Sequence, residues 1–207
     1  MRLQDYTPPL VAILRGLQAH EAPEIAATLF DAGFRILEVP LNRPHALDAI
    51  GAIARRAPAD ALVGGGTMIT RGDVDAVAAA GGRLFVAPHC DPAVIRHACG
   101  IGMQCLPGVA TPSEAFAALA AGAHGLKLFP AEALGLAGLR ALRTVLPLEA
   151  PVFPVGGVGP SDMAAWVRAG AAGFGIGSAL YRPGMRAQEL APVARQFIHA
   201  WQESHDS

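Results

Sequence analysis

The sequence predicts an α/β fold in which eight parallel strands, each followed by a helix, close into a (β/α)8 TIM barrel. Short apolar runs alternate with alanine-rich helical patterns along all 207 residues, in β-then-α units of roughly 20–27 residues. No linker or composition break divides the chain, which predicts one domain over residues 1–207. The main alternative, an open doubly wound sheet, is disfavoured because no G-x-G-x-x-G motif follows the first strand.

Each predicted strand is a short apolar run that glycine, proline or polar residues bound. These runs cover residues 10–14, 36–40, 61–63, 84–87, 103–106, 125–129, 152–155 and 174–176. The segments between them carry apolar residues every three or four positions, as helices packed on one face do. The predicted helices cover residues 21–32, 46–56, 71–80, 92–100, 112–121, 137–145, 160–169 and 190 to about 201.

Local signals mark several helix ends. Asp91 and Thr111 each precede a proline, as N-terminal caps often do. Glycine, which adopts the left-handed conformation that ends a helix, follows four helical patterns. These glycines are Gly33, Gly81, Gly122 and Gly170.

Composition excludes several classes of partner. The hydrophobic content of 52% supplies a large core, and a net charge of -1 with scattered basic residues predicts neither nucleic-acid nor membrane-surface binding. Residues 1–9 lack the apolar core of a signal peptide, and no apolar stretch reaches the length of a membrane span. We therefore expect a cytoplasmic protein.

The cysteines predict neither a disulfide framework nor a metal site. Cys90, Cys99 and Cys105 are odd in number and show no C-x-x-C spacing, which indicates reduced thiols in or near the core. His89 and Cys90 could form half of a metal site, but no second ligand pair stands at a usable spacing.

Lys127 is the only lysine beside 15 arginines, and it lies in the otherwise apolar run 125–130. Arginine stays protonated, whereas a desolvated lysine can lose its proton and attack a carbonyl carbon. This pattern predicts a Schiff-base lysine. The alternative is a lysine at the edge of the fold whose amine reaches water, in a composition that favours arginine.

Glu38 interrupts a second apolar strand. Lys127 and Glu38 each alternate with large aliphatic residues, so we expect both side chains to point into the barrel. There, burial and a nearby Arg15 would both lower the pKa of the lysine. Glu38 is the candidate general acid–base; the alternative, a buried salt bridge to Arg15 or Lys127, is compatible with that role.

Glycines at the ends of the last two strands predict an anion site. Gly156-Gly157 and Gly177-Ser178 expose backbone amides, and a short helix predicted to begin at Ser178 would favour a phosphate there. Phosphate sites are common at this position in such barrels, although tight turns alone also explain the glycines. Thr67 follows three glycines and offers a hydroxyl donor.

These motifs occur in one order along the chain. They are Glu38-Val39-Pro40-Leu41, Gly64-Gly65-Gly66-Thr67, Pro107-Gly108-Val109-Ala110-Thr111, Lys127-Leu128-Phe129-Pro130-Ala131-Glu132, Gly156-Gly157-Val158 and Gly175-Ile176-Gly177-Ser178. Together they resemble the 2-dehydro-3-deoxy-phosphogluconate and -phosphogalactonate aldolase family, from about residue 9 to residue 201. The resemblance implies a class I aldolase that assembles as a homotrimer and uses neither a metal nor a cofactor.

The resemblance also implies residue roles. Lys127 would form an imine with the 2-oxo group, and Glu38 would move protons, through a water, during carbinolamine breakdown and C3–C4 cleavage. Thr67 would help hold the pyruvate carboxylate, while Pro88 and Phe129 would line the pocket. The phosphate would be held by the turns containing Gly156, Gly157, Gly177 and Ser178.

Two departures from the gluconate type indicate the galactonate type. Pro40 and Asn42 replace the threonine and arginine of the strand-two motif, Arg43 follows, and Arg15 is the expected substitute at the carboxylate. Val155 replaces a threonine near the C4 hydroxyl, which removes a hydrogen bond that could discriminate C4 configuration. The implied products are pyruvate and D-glyceraldehyde 3-phosphate. Cleavage of the gluconate epimer or of 4-hydroxy-2-oxoglutarate, and a phosphosugar-binding barrel without Schiff-base chemistry, remain alternatives.

Overall fold

The computed structural model describes residues 3–204, which form nine strands and eight α-helices. The strands are β1 Leu10–Ile13, β2 Ile36–Pro40, β3 Leu62–Gly66, β4 Leu84–Val86, β5 Gln104–Leu106, β6 Gly108–Val109, β7 Leu126–Leu128, β8 Val152–Pro154 and β9 Phe174–Ile176. The α-helices are α1 Ala22–Ala32, α2 Ala46–Ala54, α3 Arg71–Ala79, α4 Pro92–Gly100, α5 Pro112–Ala120, α6 Ala131–Arg143, α7 Met163–Arg168 and α8 Ala187–Glu203. Short 3-10 helices cover Leu3–Asp5 and Pro160–Asp162.

The predicted closed barrel of eight strands is wrong. The strands form two parallel sheets, a curled six-stranded sheet in the order β5-β4-β3-β2-β1-β9 and a three-stranded sheet in the order β6-β7-β8. Pro107 separates β5 from β6 and supplies no N–H to a ladder; β5 corresponds to the strand predicted over residues 103–106, and β6 is a short strand that was not predicted. At the other junction, a single bridge between Val155 and Gly175 links β8 to β9. The strand ladder is therefore not a continuous eight-stranded ring.

Most predicted elements lie where the sequence placed them. The bounds of β2, β9 and α4 match the prediction, and the four glycines after helices have φ angles of 112°, 91°, 98° and 102°. Asp91 accepts hydrogen bonds from two amides of α4, and Thr111 forms a capping box with Glu114. The largest displacement is α6, predicted from residue 137. It begins at Ala131 and contains Gly135 in a non-helical conformation.

The two faces of the strands pack against different neighbours. In β2, Leu37 and Val39 belong to the large core between the sheets and the helices, whereas Ile36 belongs to a separate, smaller cluster. We call this smaller group the inner cluster. It consists of Leu3, Tyr6, Val11, Ile36, Leu62, Leu84, Val86, Leu106 and Phe153. Because β2, β3 and β4 each contribute their first residue, the inner cluster fills the amino-terminal end of the sheet interior.

The carboxyl-terminal end of the same interior is left for polar residues. Glu38 follows Ile36 by two positions along β2, so it extends the same face of the strand beyond the inner cluster. Within residues 3–204, no helix has both the length and the apolar character needed to cross a bilayer.

Candidate active site

A cavity of about 260 Å³ opens at the carboxyl-terminal ends of the strands. Its lining includes residues that end or directly follow strands, such as Pro40, Thr67 and Phe129. Ten of the eleven site residues predicted from the sequence line it. They are Arg15, Glu38, Thr67, Lys127, Phe129, Val155, Gly156, Gly157, Gly177 and Ser178. The fold thus gathers residues from β1, β2, β3, β7, β8 and β9 or the loops after them.

Pro88 is the predicted site residue that the structure places outside the cavity lining. It lies beyond the end of β4, where its backbone packs against Gly108. A Cβ atom added to Gly108 would lie 2.4 Å from the Pro88 carbonyl group. This close approach directs the loop after β4 toward β6.

Two charged side chains are buried within the described part of the chain, namely Glu38 at 2% exposure and Lys127 at 7%. Both occupy strand positions that alternate with residues of the large core between the sheets and the helices. On β7, Leu126 and Leu128 pack toward the helices, which leaves Lys127 on the cavity side. The apolar–polar–apolar pattern of a three-residue strand therefore determines where the amine lies.

Burial is the main influence on the amine of Lys127. Loss of hydration lowers its pKa, the carboxyl group of Glu38 raises it, and the guanidinium of Arg15 lowers it again. The Nζ atom lies 4.8 Å from the ring centroid of Phe129, a contact that favours the charged form. The net direction is a lowered pKa, which increases the fraction of neutral, nucleophilic amine at neutral pH.

The carboxyl group of Glu38 is perturbed in the opposite direction. Burial raises its pKa to about 7, against the opposing effects of Lys127 and Arg15. Its Oε2 atom is buried and has no hydrogen-bond partner among the described residues. A group with this pKa exchanges protons readily near pH 7, as a general acid–base must. Among the described residues, no ion pair joins Glu38 to Arg15 or Lys127, so the expected buried salt bridge is not formed and this oxygen is available to a ligand.

The end of β3 makes room for that carboxyl group. A Cβ atom on Gly66 would lie 1.8 Å from Oε2 of Glu38, so any larger residue would displace the carboxylate. Thr67 follows with a φ angle of 56°, a left-handed conformation that is rare for a β-branched residue. Such backbone strain is concentrated at functional sites, and here it accompanies a side chain on the cavity wall.

The turns after β8 and β9 form the opposite wall. Gly156 and Gly157 have φ angles of 111° and 68°, and a Cβ atom on Gly156 would lie 1.9 Å from Oε2 of Glu132. After β9, the amides of Leu180 and Tyr181 both donate to the carbonyl of Gly177, at 2.8 and 3.0 Å. The helix predicted to begin at Ser178 is therefore a single turn.

Sequence reasoning missed two polar residues of the cavity, Tyr181 and Arg182. Burial, and to a lesser extent Glu21, raise the pKa of Tyr181 to about 12, which keeps its hydroxyl protonated. Arg182 brings a second guanidinium to a cavity already lined by Arg15. The sequence did offer one indication for Arg182, because it stands four residues after Ser178, one helical turn beyond the expected anion site.

The arginine beside the strand-two motif does not reach this cavity. Arg43 lines a separate surface depression with Leu41 and His45, and Asn42 is likewise absent from the cavity lining. Arg15 and Arg182 are therefore the guanidinium groups that the cavity offers to a negatively charged ligand.

Comparison with known proteins identifies the family of this site. The family model described as "Aldolase: KDPG and KHG aldolase" matches residues 4–195. The chain belongs to the KDPG and KHG aldolase family. It is therefore an aldolase, and the polar ends of its strands lie in the segment that the family model covers.

Relatives of this aldolase include proteins with two kinds of name. A probable 2-dehydro-3-deoxy-6-phosphogalactonate aldolase from Rhizobium meliloti is 47% identical over 93% of this chain and 91% of its own length. The 2-dehydro-3-deoxy-6-phosphogalactonate aldolase of Escherichia coli K12 is 45% identical over 95% and 96%. The KHG/KDPG aldolase of the same strain is 33% identical over 75% and 73%.

Solved structures agree with this relationship. A structure titled "Native KDPGal structure" superposes with a TM-score of 0.94 at 45% sequence identity, covering 96% of this aldolase and 97% of that chain. The backbone that carries the cavity is thus shared with a relative over nearly its whole length.

Proposed function

We propose that the protein is a Schiff-base aldolase that cleaves 2-dehydro-3-deoxy-6-phospho-D-galactonate to pyruvate and D-glyceraldehyde 3-phosphate. The observation that carries this proposal is the pairing, in one cavity, of a buried amine with a lowered pKa and a buried carboxyl group with a raised one. Perturbed titratable groups of opposite type in a cleft are the arrangement that proton-coupled covalent catalysis requires.

The first steps use the neutral amine of Lys127. Its Nζ attacks the C2 carbonyl carbon of the substrate and forms a carbinolamine. Loss of water then gives an iminium ion, whose positive charge draws electrons from the adjacent carbon. Glu38 supplies the proton that the departing hydroxyl needs, through a bound water, and is left as a carboxylate near the iminium charge.

The same carboxylate then serves as the base for cleavage. It takes the proton of the C4 hydroxyl as the C3–C4 bond breaks, and the bonding electrons move toward the iminium nitrogen. D-glyceraldehyde 3-phosphate leaves and an enamine remains on Lys127. Glu38 returns the proton to C3, and water then hydrolyses the imine to release pyruvate and the free amine.

The remaining cavity residues hold the two anionic ends of the substrate. We assign the carboxylate to Arg15 and the hydroxyl of Thr67. The phosphate is assigned to the glycine turns after β8 and β9, with the amide and hydroxyl of Ser178 as donors. Arg182 adds positive charge at that end. Phe129 packs beside the reacting amine, and Val155 lies beside the turn that begins at Gly156.

The galactonate epimer is favoured over the gluconate epimer by two observations. The relatives named for phosphogalactonate are 45–47% identical, against 33% for the KHG/KDPG aldolase of Escherichia coli K12. Val155 lines the cavity and offers no hydroxyl, so it makes no hydrogen bond to a C4 substituent. The gluconate epimer and 4-hydroxy-2-oxoglutarate remain the alternative substrates within the family.

Reductive trapping tests the covalent chemistry. The protein is incubated with pyruvate and borohydride, digested, and mapped by mass spectrometry. We expect one reduced pyruvate adduct on Lys127, and because the chain has no other lysine, only the α-amine offers a competing site. Absence of the adduct on Lys127 under conditions that trap a known class I aldolase would leave a phosphosugar-binding role without Schiff-base chemistry.

Cleavage rates on the two C4 epimers test the substrate separately. We expect a higher kcat/KM on the galactonate epimer, measured by coupling pyruvate release to lactate dehydrogenase. A clear preference for the gluconate epimer would overturn the substrate assignment and leave the Schiff-base mechanism intact.

The assembly and location proposed for this protein are those of the family resemblance. We propose a cytoplasmic homotrimer whose subunits are single domains over residues 1–207. Light scattering on the purified protein measures the number of subunits, and a mass near one or two subunits would contradict the trimer. Limited proteolysis tests the single-domain organisation, because one resistant fragment is expected.

A further inference from the structure

A second group of reactive side chains lies outside the aldolase cavity. Cys99 near the end of α4, Cys105 on β5 and His124 before β7 place their ligand-type atoms within 4.8 Å of one another. None of the three lines the cavity that contains Lys127. The cysteines are free thiols, and the Sγ atoms of Cys99 and Cys105 lie 3.3 Å apart.

Backbone contacts fix the two thiols in this arrangement. The chain turns tightly after α4, where the amide of Gly102 donates to the carbonyl of Cys99 at 3.0 Å. The amide of Cys105 donates to Nδ1 of His124 at 3.1 Å, which places the ring proton of a neutral imidazole on Nε2. The thiol of Cys99 also lies 3.1 Å from the carbonyl oxygen of Gly122.

The two sulfur atoms differ in access and in charge preference. Cys105 is fully buried, whereas Cys99 is only partly buried and lies beside the exposed Gly122. Contact with the Cys105 thiol, and then with His124, lowers the pKa of Cys99 to about 5. Contact with Cys99 and burial raise the pKa of Cys105. The lowered pKa favours ionisation of Cys99, the more exposed of the two residues, over ionisation of the buried Cys105.

The spacing of the sulfur atoms favours a covalent bond over a zinc site. Tetrahedral zinc with Zn–S bonds of about 2.3 Å holds two sulfur atoms roughly 3.8 Å apart, and a structural site needs a fourth ligand. No fourth histidine, cysteine or carboxylate joins this cluster within the described residues. A disulfide needs the sulfur atoms to close from 3.3 Å to about 2.05 Å.

We propose that Cys99 is a thiol–disulfide exchange site that accepts a low-molecular-weight disulfide and then closes a bond with Cys105. Three features carry this assignment, namely the contact between the sulfur atoms, the partial exposure of the residue Cys99, and the imidazole beside both cysteines. The residues belong to α4, β5 and the segment before β7, so the site is independent of the aldolase chemistry.

The exchange balances in two steps. The Cys99 thiolate attacks one sulfur of the disulfide RSSR, the S–S bond breaks, and RS⁻ leaves while Cys99 carries the mixed disulfide. Cys105 then loses its proton to water, attacks Sγ of Cys99, and displaces the second RS⁻. The protein is oxidised by two electrons, RSSR is reduced to two thiols, and the two protons from the protein balance the two RS⁻ groups.

Incubation with glutathione disulfide tests the proposal on the full-length protein. Peptide mapping at successive times should show glutathione on Cys99 first, followed by its loss and a Cys99–Cys105 disulfide. Cys105→Ser should retain one glutathione on Cys99, because no second thiol can displace it. Cys99→Ser should form neither species and is the matched control.

Cys90 provides an internal reference thiol. Burial, and then the nearby acids Glu114 and Asp91, raise its pKa, so it should react at least about tenfold more slowly than Cys99 at pH 7. Equal modification of Cys90 and Cys99 in the native protein would overturn the proposal. So would the absence of a Cys99–Cys105 disulfide in the wild-type chain after full oxidation, a result that does not depend on whether the variants fold.

Iodoacetamide alkylation at a series of pH values gives a second readout. Cys105 from β5 and His124 before β7 are the titratable groups that lower the pKa of Cys99. His124→Gln should therefore move the midpoint of Cys99 alkylation to higher pH without changing that of Cys90. An unchanged midpoint for Cys99 would contradict the proposed role of the His124 imidazole in lowering the pKa of Cys99.

Discussion

The two ends of the sheet interior differ in what the same strands place there. At the amino-terminal end, the inner cluster packs Ile36, Leu62, Leu84 and their neighbours into contact without a charged member. At the carboxyl-terminal end, Glu38 and Lys127 occupy equivalent inward positions beside an open cavity. The strand geometry is the same at both ends, and only the residue types change.

Residues that stabilise the fold and residues proposed to carry the chemistry therefore lie only a few positions apart along the same strands. Burial of aliphatic side chains stabilises the fold, whereas burial of a carboxyl group and an amine opposes it unless they are neutral or well paired. The raised pKa of Glu38 and the lowered pKa of Lys127 are the physical sign of that opposition. Changes at one end should therefore affect unfolding, and changes at the other should affect turnover.

Replacement of Lys127 should have the largest effect. Lys127→Met keeps a side chain of similar length and removes the nucleophile, so aldol cleavage should fall to the uncatalysed background. The midpoint of thermal unfolding should not fall below that of the wild-type protein, because a buried amine is replaced by an apolar group. Arg15→Lys is the comparison variant, since it keeps a positive charge in the cavity and leaves the nucleophile in place. Measurable turnover by Lys127→Met would contradict covalent catalysis.

Glu38→Gln should reduce kcat by roughly 10²–10⁴-fold, the range expected when a general acid–base is removed. Imine formation should be slowed and not eliminated, because the amine remains. Single-turnover kinetics with pyruvate trapping separates the two effects. A variant with full cleavage activity would show that the carboxyl group serves only to balance charge.

Leu84→Ala tests the apolar end. Leu84 is fully buried in the inner cluster, so its truncation should lower the free energy of unfolding by about 2–5 kcal/mol. Turnover per folded molecule should change much less than in Glu38→Gln. Urea denaturation and steady-state kinetics on the same preparation measure both. A selective loss of turnover without loss of stability would show that the two ends are not separable.

The pH dependence of unfolding should sharpen the comparison further. The pKa of Glu38 is about 7 in the folded state and 4.5 for the unperturbed group, so the folded state binds more protons between these values. Stability should therefore fall as pH rises from 4.5 through 7. Glu38→Gln should remove this part of the slope, and denaturant midpoints at pH 5 and pH 8 test it. An identical slope in the variant would contradict the raised pKa.

Val155→Thr should have the smallest effect. It adds one hydroxyl to the cavity wall at nearly constant volume, so the ratio of kcat/KM for the two C4 epimers should move toward the gluconate epimer by about tenfold or less. Val155→Ala is the matched control, because it changes the wall without adding a hydrogen-bonding group. A shift of equal size in both variants would assign the effect to shape.

Local sequence patterns predicted most of the elements and most of the residues that line the cavity, because each depends on a few neighbouring residues. Alternation with leucine was enough to direct Lys127 inward, and the glycine after each helix was enough to end it. Closure of the barrel depends on hydrogen bonds between distant strands, and Pro107 interrupts one of those ladders. The break follows from proline chemistry, but the alternation pattern did not reveal it.

The missed and displaced residues have a common cause. Tyr181 and Arg182 lie after β9 on an irregular segment whose path no periodic pattern specifies, and Pro88 lies on the loop after β4. The pairing of Cys99 with Cys105 was also missed, because a six-residue separation brings two thiols together only when the intervening turn is known. Long-range and irregular geometry is what the sequence patterns leave undetermined.

The solitary lysine also makes the reacting atom visible to spectroscopy. A chain grown with ¹⁵N-labelled lysine carries its isotope on Lys127 alone, so NMR would contain one side-chain nitrogen signal. Its chemical shift would report amine, ammonium and iminium forms in turn as pH and pyruvate are varied. A property that many enzymes require mutagenesis to isolate is available here from the natural composition of the chain.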